Sequence, residues 1–353
     1  MNLEALLKEV ANNDLISDLH LTVYSQPIIR RSGELEFYGD SSNKLYSDDL
    51  EKFARELMNE EQWQEFQEEG ELDFSYSIPE VSRFRVNVYQ QRGSITIALR
   101  VIPQGVPSID ELGLPETIRK LAGQRQGLVL CTGPTGSGKS TTLAAMINEI
   151  NHKRKAHVIT LEDPIEYLHS HNRSVVHQRE VGTDTKSFAK ALRAALRQDP
   201  DVILVGEMRD LDTISIALEA AETGHLVMST LHTNSAPQTV DRIIDVFPPS
   251  QQDQVRVQLA SIIKGVIAQQ LLPRRNDEGR VPAFEIMVGT SAVKNIIREG
   301  KTSQLRSALQ TGGNKGMIIM DNYLLDLYES GQISKKTALE RANNRDYFRK
   351  RLN

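Results

Sequence analysis

The sequence predicts an α/β protein in two parts, an N-terminal α+β domain followed by a larger domain built on a parallel sheet, with a mostly helical end. Three observations predict it. Apolar residues alternate with polar ones in the first part, as in strands with one buried face. Beyond a stretch holding Pro103, Gly105 and Pro107, short apolar runs take turns with helical patterns, the rhythm of a parallel sheet. One of those runs opens into Gly133-Pro134-Thr135-Gly136-Ser137-Gly138-Lys139-Ser140, a glycine-rich turn leading into a helix.

In the first part, Leu3, Leu6, Leu7 and Val10 recur at helical spacing, so the chain opens on an amphipathic helix. Leu19, Leu21 and Val23 alternate and read as a strand, and residues 47–69 are charged and helix-favouring. Phe84, Val86 and Val88, then Ile95, Ile97, Leu99 and Val101, flank Gln91-Arg92-Gly93 and read as an antiparallel hairpin. The first domain is placed at 1–101 and a linker at 102–116, because prolines and a glycine interrupt the pattern there.

The second domain is placed at 117–353. Leu128–Cys131 is a short strand, 139–152 a helix and Val158–Leu161 the next strand. Phe188, Ala191, Leu192, Ala195 and Leu196 mark a helix. Val202–Val205 is wholly apolar, as expected of a strand covered on both faces. Leu211, Ile214, Leu218 and Ala221 mark another helix and Leu226–Thr230 another strand. From about 249 the pattern is mostly helical.

The 353 residues fit two domains at roughly 100–200 residues each. A composition 39% apolar and 25% charged suits a globular protein with a sizeable core. With a formal charge of -5 and no Lys/Arg-rich block, nucleic acid is not an expected partner. The single cysteine, Cys131, rules out an internal disulfide and paired-cysteine zinc sites. The start, Met1-Asn2-Leu3-Glu4, lacks the features of a signal peptide, and no run approaches the ~20 apolar residues of a membrane span. A cytoplasmic protein without direct membrane insertion is expected.

The glycine-rich turn is a P-loop, and its chemistry explains its composition. Glycines permit close approaches that side chains block. Backbone N–H groups of the stretch from Gly133 through Thr141, in which Pro134 has none to give, then point into a concavity that holds phosphate oxygens, in front of a helix N-terminus. Lys139 reaches the β- and γ-phosphates and the Ser140 hydroxyl binds Mg²⁺. ATP binding follows, with Mg²⁺ as its companion.

Other candidates have competing readings. Val202–Val205 ends in Gly206-Glu207. Glu207 is either the acid that acts on Mg²⁺ through water or an ordinary strand-end acid. Glu162, Asp163 and Glu166 follow the Val158–Leu161 strand, at the edge where parallel sheets bind ligands. Carboxylates there orient or deprotonate the attacking water, or else Glu162 and Asp163 cap a helix or turn before Pro164. His232, just beyond an apolar strand, is a γ-phosphate sensor or a structural histidine. His169, His171 and His177 read as a solvated loop. Arg85, Arg92 and Arg100, on or beside the hairpin, are ordinary exposed arginines unless their domain packs on a nucleotide, where arginine stabilises phosphoryl charge.

Longer stretches carry a resemblance. They are Ser17-Asp18-Leu19-His20-Leu21, Arg83-Phe84-Arg85-Val86-Asn87, Arg100-Val101-Ile102-Pro103, the P-loop to Thr142, and Thr160-Leu161-Glu162-Asp163-Pro164-Ile165-Glu166. Asp199-Pro200-Asp201, Val205-Gly206-Glu207-Met208-Arg209-Asp210, Gly224 through Thr233, Gln269 through Pro273 and Ala292 through Glu299 continue the series. With these the chain resembles the type II/type IV secretion ATPase superfamily, most closely its type IV pilus retraction (twitching motility) branch. The resemblance implies a PAS-like first domain, a RecA-like P-loop ATPase domain with a helical C-terminal region, and a homohexameric ring. It implies ATP bound between the domains, with Arg85 and Arg100 contacting phosphate. Glu166 is the first choice to activate water and Glu162 the second, with Glu207 near Mg²⁺ and His232 as sensor.

The implied function is a hexameric, Mg²⁺-dependent ATPase motor that retracts type IV pili. It would stand at the inner membrane through a pilus platform protein, with a partner pilus ATPase as a further candidate. A nucleotide-gated adaptor of a partner motor, or a pilus-assembly or secretion ATPase, are the alternatives. The absence of a four-cysteine zinc insertion favours retraction over assembly. One departure is Lys294, where retraction sequences carry arginine. Lysine keeps the charge and loses bidentate hydrogen bonding.

Overall fold

The computed structural model describes residues 2–353 except 14, 41–42, 80, 103–104, 277–278, 344–347, 349–350 and 352–353. Pro103 and Gln104, within the expected linker, thus lie outside the described residues. The chain divides into two compact units, Met1–Gly105 with Pro164–Leu168, and Val106–Asp163 with His169–Asn353.

The first unit runs α1 (Leu3–Ala11), β1 (Ile16–Leu21), β2 (Ile28–Arg31), β3 (Glu34–Phe37), α2 (Ser47–Leu57), α3 (Glu60–Glu69), β4 (Glu71–Ile78), β5 (Ser82–Gln91) and β6 (Ser94–Ile102). Asn2 caps α1 by accepting from the Ala5 N–H, and the helix buries Leu3, Leu6, Leu7 and Val10, as their spacing predicts. The strands form a 6-stranded sheet in the order β3-β2-β1-β6-β5-β4. The hairpin forms as β5–β6, turning through Arg92 (φ 51°) and Gly93 (φ 76°). Phe84, Val86, Val88, Ile97 and Leu99 point into a core shared with Phe53, Trp63 and Phe66 from α2 and α3.

The second unit continues with α4 (Glu116–Ala122), β7 (Gly127–Thr132), α5 (Lys139–Lys153), β8 (His157–Glu162), β9 (Val175–Glu180), α6 (Phe188–Ala195), β10 (Val202–Val205), α7 (Leu211–Glu222) and β11 (Leu226–Leu231). Then come α8 (Ala236–Asp245), α9 (Pro249–Ile262), β12 (Ile263–Pro273), β13 (Arg280–Val288), α10 (Ser291–Arg298), α11 (Leu305–Thr311), α12 (Met320–Glu329) and α13 (Lys335–Arg341). The sheet is 7-stranded, ordered β13-β12-β7-β11-β10-β8-β9. All neighbouring pairs are parallel except β12–β13. Its two faces carry separate cores, as wholly apolar strands require. Leu128, Leu130, Ile203, Val205 and Val227 pack under α6–α10. Val129, Cys131, Leu204 and Met228 pack under α4 and α5.

The helical reading from about 249 needs correction. α9 is followed by β12 and β13, which extend the sheet past β7, before helices resume at α10. β9 was also unforeseen: it pairs with β8 from His157↔Val175 to Glu162↔Glu180. Among the described residues no helix is long and apolar enough to cross a membrane.

Candidate nucleotide site

The P-loop leaves β7 at Thr132 and ends where α5 begins. Gly133 has φ 146°, and a Cβ there would lie 2.3 Å from the Gln269 carbonyl oxygen and 2.6 Å from Ser137 Oγ. Gly138 (φ 87°) caps α5, and a Cβ there would lie 2.7 Å from Gln269 Nε2. Gly136 meets nothing nearby and owes its glycine to φ 75° alone. Pro134, Thr135 and Gly136 are exposed, Ser137 is buried, and Ser140 and Thr141 are half-buried. Lys139 is only 8% exposed. Its ammonium donates to the carbonyls of Gly133 (2.8 Å) and Pro134 (3.0 Å), so a cation already stands inside the loop. The first turn of α5 contains no acid to oppose an anion.

Parallel pairing brings the other candidates to the same edge. Thr132 lies opposite Leu231, and Val205 lies opposite Ser229 and Leu161. Gly133, His232, Glu207 and Glu162 therefore stand at the C-terminal ends of adjacent strands, where open α/β sheets bind ligands. Glu207 Oε2 is 3.5 Å from His232 Nε2, and its Oε1 is 2.6 Å from Arg209 Nε. Arg209 has no role in the sequence reading. Its partner lies two residues back and across a turn, which no spacing rule reveals. The turn itself is pinned, since Gly206 N–H donates to the Leu161 carbonyl (2.7 Å) and Thr230 Oγ1 donates to the Gly206 carbonyl (2.6 Å). Glu162 Oε1 accepts from Thr160 Oγ1 (2.6 Å) and Gln178 Nε2 (3.0 Å), the latter from the unforeseen β9.

Glu166 is exposed and lies in Pro164–Leu168, the segment grouped with the first unit. In that unit Arg85 and Arg100 are direct cross-strand partners. Arg100 Nε donates to Asp18 Oδ1 at 2.8 Å, and Arg85 Nε stands 3.9 Å from Asp73 Oδ1. Both arginines remain about half or more exposed, at 49% and 66%.

The solvated-loop reading holds for His171, exposed between β8 and β9, but not for His177, on a strand, or for the half-buried His169. His177 is on β9, with its Nδ1 2.9 Å from His157 Nε2. His171 Nδ1 accepts from the Val176 N–H at 3.1 Å. Burial pushes the His169 imidazole down to about 4, so it stays neutral. The Cys131 thiol, wholly buried, is pushed up to about 12 and carries no thiolate chemistry.

The candidate donors for Mg²⁺ are the Ser140 hydroxyl, in the first turn of α5, and the Glu207 carboxylate, just past β10. Among the described residues no group of three or more His, Cys, Asp or Glu forms a metal cage. A few oxygen donors suit Mg²⁺, which binds through one or two protein oxygens plus phosphates and water.

The family described as "Type II/IV secretion system protein" matches residues 57–344. The chain is similar to the type IV pilus retraction ATPase PilT of Pseudomonas aeruginosa, 47% identical over 332 residues, covering 94% of this chain and 96% of the relative. It is 46% identical to a twitching motility protein of Neisseria gonorrhoeae, over 91% of this chain and 85% of that one. A crystal structure of the pilus retraction motor PilT with bound ADP superposes with a TM-score of 0.91 at 46% identity, covering 99% of both chains.

Proposed function

Because the chain belongs to the type II/IV secretion system protein family, we propose that it is an ATP-hydrolysing motor that powers retraction of type IV pili and so twitching motility. It works as a homohexamer at the inner membrane, against a platform protein, with a PAS-like first domain and a RecA-like second. The observation that carries the reading is the P-loop with Lys139 inside it, beside the Glu207–His232 pair on one sheet edge.

The residues divide the work. The backbone from Gly133 to Thr141 cradles the phosphates, and Lys139 exchanges its carbonyl partners for β- and γ-phosphate oxygens. Ser140 and, through water, Glu207 would hold Mg²⁺, whose charge would offset that of the phosphates. Glu166 takes the proton of the attacking water, with Glu162 as the alternative base. His232, resting on Glu207, reads the γ-phosphate through that carboxylate. Arg85 and Arg100 stabilise charge on the transferred phosphoryl group.

Steady-state hydrolysis by the purified protein tests the reading. Lys139→Ala is expected to lose ATP turnover at least a hundredfold and to fail to restore twitching in cells lacking their retraction ATPase, whereas the wild-type chain restores it. Turnover at the wild-type rate in that variant would remove the P-loop assignment. Glu166→Ala is expected to hydrolyse poorly while binding ATP normally. Loss of binding would assign Glu166 a structural role.

A further inference from the structure

We propose that Gln269 is a positioning residue of the phosphate loop: it holds the loop in its concave shape before nucleotide arrives. This rests on the nucleotide-binding reading and deepens it. Pairing of β12 with β7 ends at Ala268↔Thr132, so Gln269 is the next residue of β12, level with the point where β7 turns into the loop. Its partner on the other side, Phe284 of β13, fixes it in the sheet.

From there one residue touches both ends of the loop. Its carbonyl oxygen occupies the space a Gly133 Cβ would take, and its Nε2 the space a Gly138 Cβ would take. The side chain also reaches α5. Gln269 Oε1 accepts from Thr142 Oγ1 at 2.7 Å and from the Cys131 thiol at 3.9 Å. The amide is buried, 3% exposed, as is Thr142 at 1%. A buried amide–hydroxyl pair of this kind is costly to break from one side, because the remaining partner is left without its hydrogen bond. The Gln269 carbonyl thus abuts the loop entry, while its side chain abuts the helix start and is tied to the first turn of α5. Pre-organisation lowers the ordering cost of binding, so its loss appears in nucleotide affinity more than in turnover.

The test is a double-mutant cycle on the full-length protein with Gln269→Leu, Thr142→Val and both together, reading the Kd of fluorescent ADP and the melting temperature without nucleotide. Each single variant is expected to weaken ADP about tenfold, with kcat at saturating ATP within about twofold of wild type. The double variant is expected to be no weaker than either single, and Thr142→Ser to bind as wild type does. Variants that melt lower but bind ADP unchanged would overturn the proposal, as would single effects that multiply in the double. If Gln269→Leu fails to fold, Thr142→Val against Thr142→Ser decides alone. Wild-type protein that does not bind ADP would instead overturn the nucleotide reading, which separates the two failures.

Discussion

His169 shows how a single side chain sets a pH limit on the fold. Burial disfavours its charged form and drops its folded value from the ordinary 6.5 to about 4. In the unfolded chain it protonates near 6.5, so between those values the unfolded state binds more protons. Stability is therefore present above about 6.5 and lost as pH falls toward about 4, by on the order of 2–3 kcal/mol. Denaturant midpoints measured across that range are expected to fall for wild type and to stay flatter for His169→Gln. Equal slopes would assign the acid sensitivity to other groups. The same scale shows what the sequence could and could not tell. The loop glycines are legible because their need is local, a left-handed φ or a close approach within a fixed spacing. Arg209 and Gln269 are not, since each acquires its partner only through a turn or a neighbouring strand. Lys294 illustrates the converse. Its ammonium donates to the Ser261 carbonyl at 3.0 Å, a contact that needs no bidentate geometry.

At the scale of elements, the β12–β13 hairpin was the largest gap between sequence and structure. Ile263–Pro273 follows a helix directly, and its short apolar stretches, broken by Lys264 and by Gln269-Gln270, show no alternation that separates a strand from a buried helix. Only its pairing with β7 makes it a strand. β9, with His177, Gln178 and Arg179 in its middle, carries too many polar residues to announce itself and depends likewise on β8. The hairpin also anchors helices. Glu285 of β13 is 6% exposed, and its Oε1 accepts from Ala236 N–H, the first residue of α8, at 2.9 Å. It also accepts from the Met320 N–H at the start of α12, while burial raises its carboxyl above the usual range. One side chain thus satisfies N–H groups at the open ends of two helices. Glu285→Ala leaves both buried and unpaired and is expected to cost about 2–4 kcal/mol. Glu285→Gln keeps an acceptor and should cost less. Thermal unfolding of the two variants checks the order, and equal melting temperatures would mean that the caps contribute little.

For the whole molecule the question is where the arginines of the first unit act. Each unit has its own core, so each can hold its site residues in place without the other. Arg85 and Arg100 sit side by side on β5 and β6, with Arg100 already oriented by Asp18. Lys139 sits in the loop of the second unit. If the arginines of one chain serve the nucleotide of another, activity belongs to the ring and not to the monomer. Specific ATPase activity should then rise with protein concentration in step with the mass measured by light scattering. A mixing experiment makes the argument sharper. Arg85→Ala retains an intact loop and Lys139→Ala retains intact arginines, and each alone is expected to be nearly inactive. In mixed rings some loops regain a neighbour with intact arginines, so the mixture should recover a substantial fraction of wild-type turnover. A mixture as inactive as its parents, despite exchange of subunits, would mean that each chain completes its own site, and the concentration dependence would then have to come from assembly acting on a site already whole.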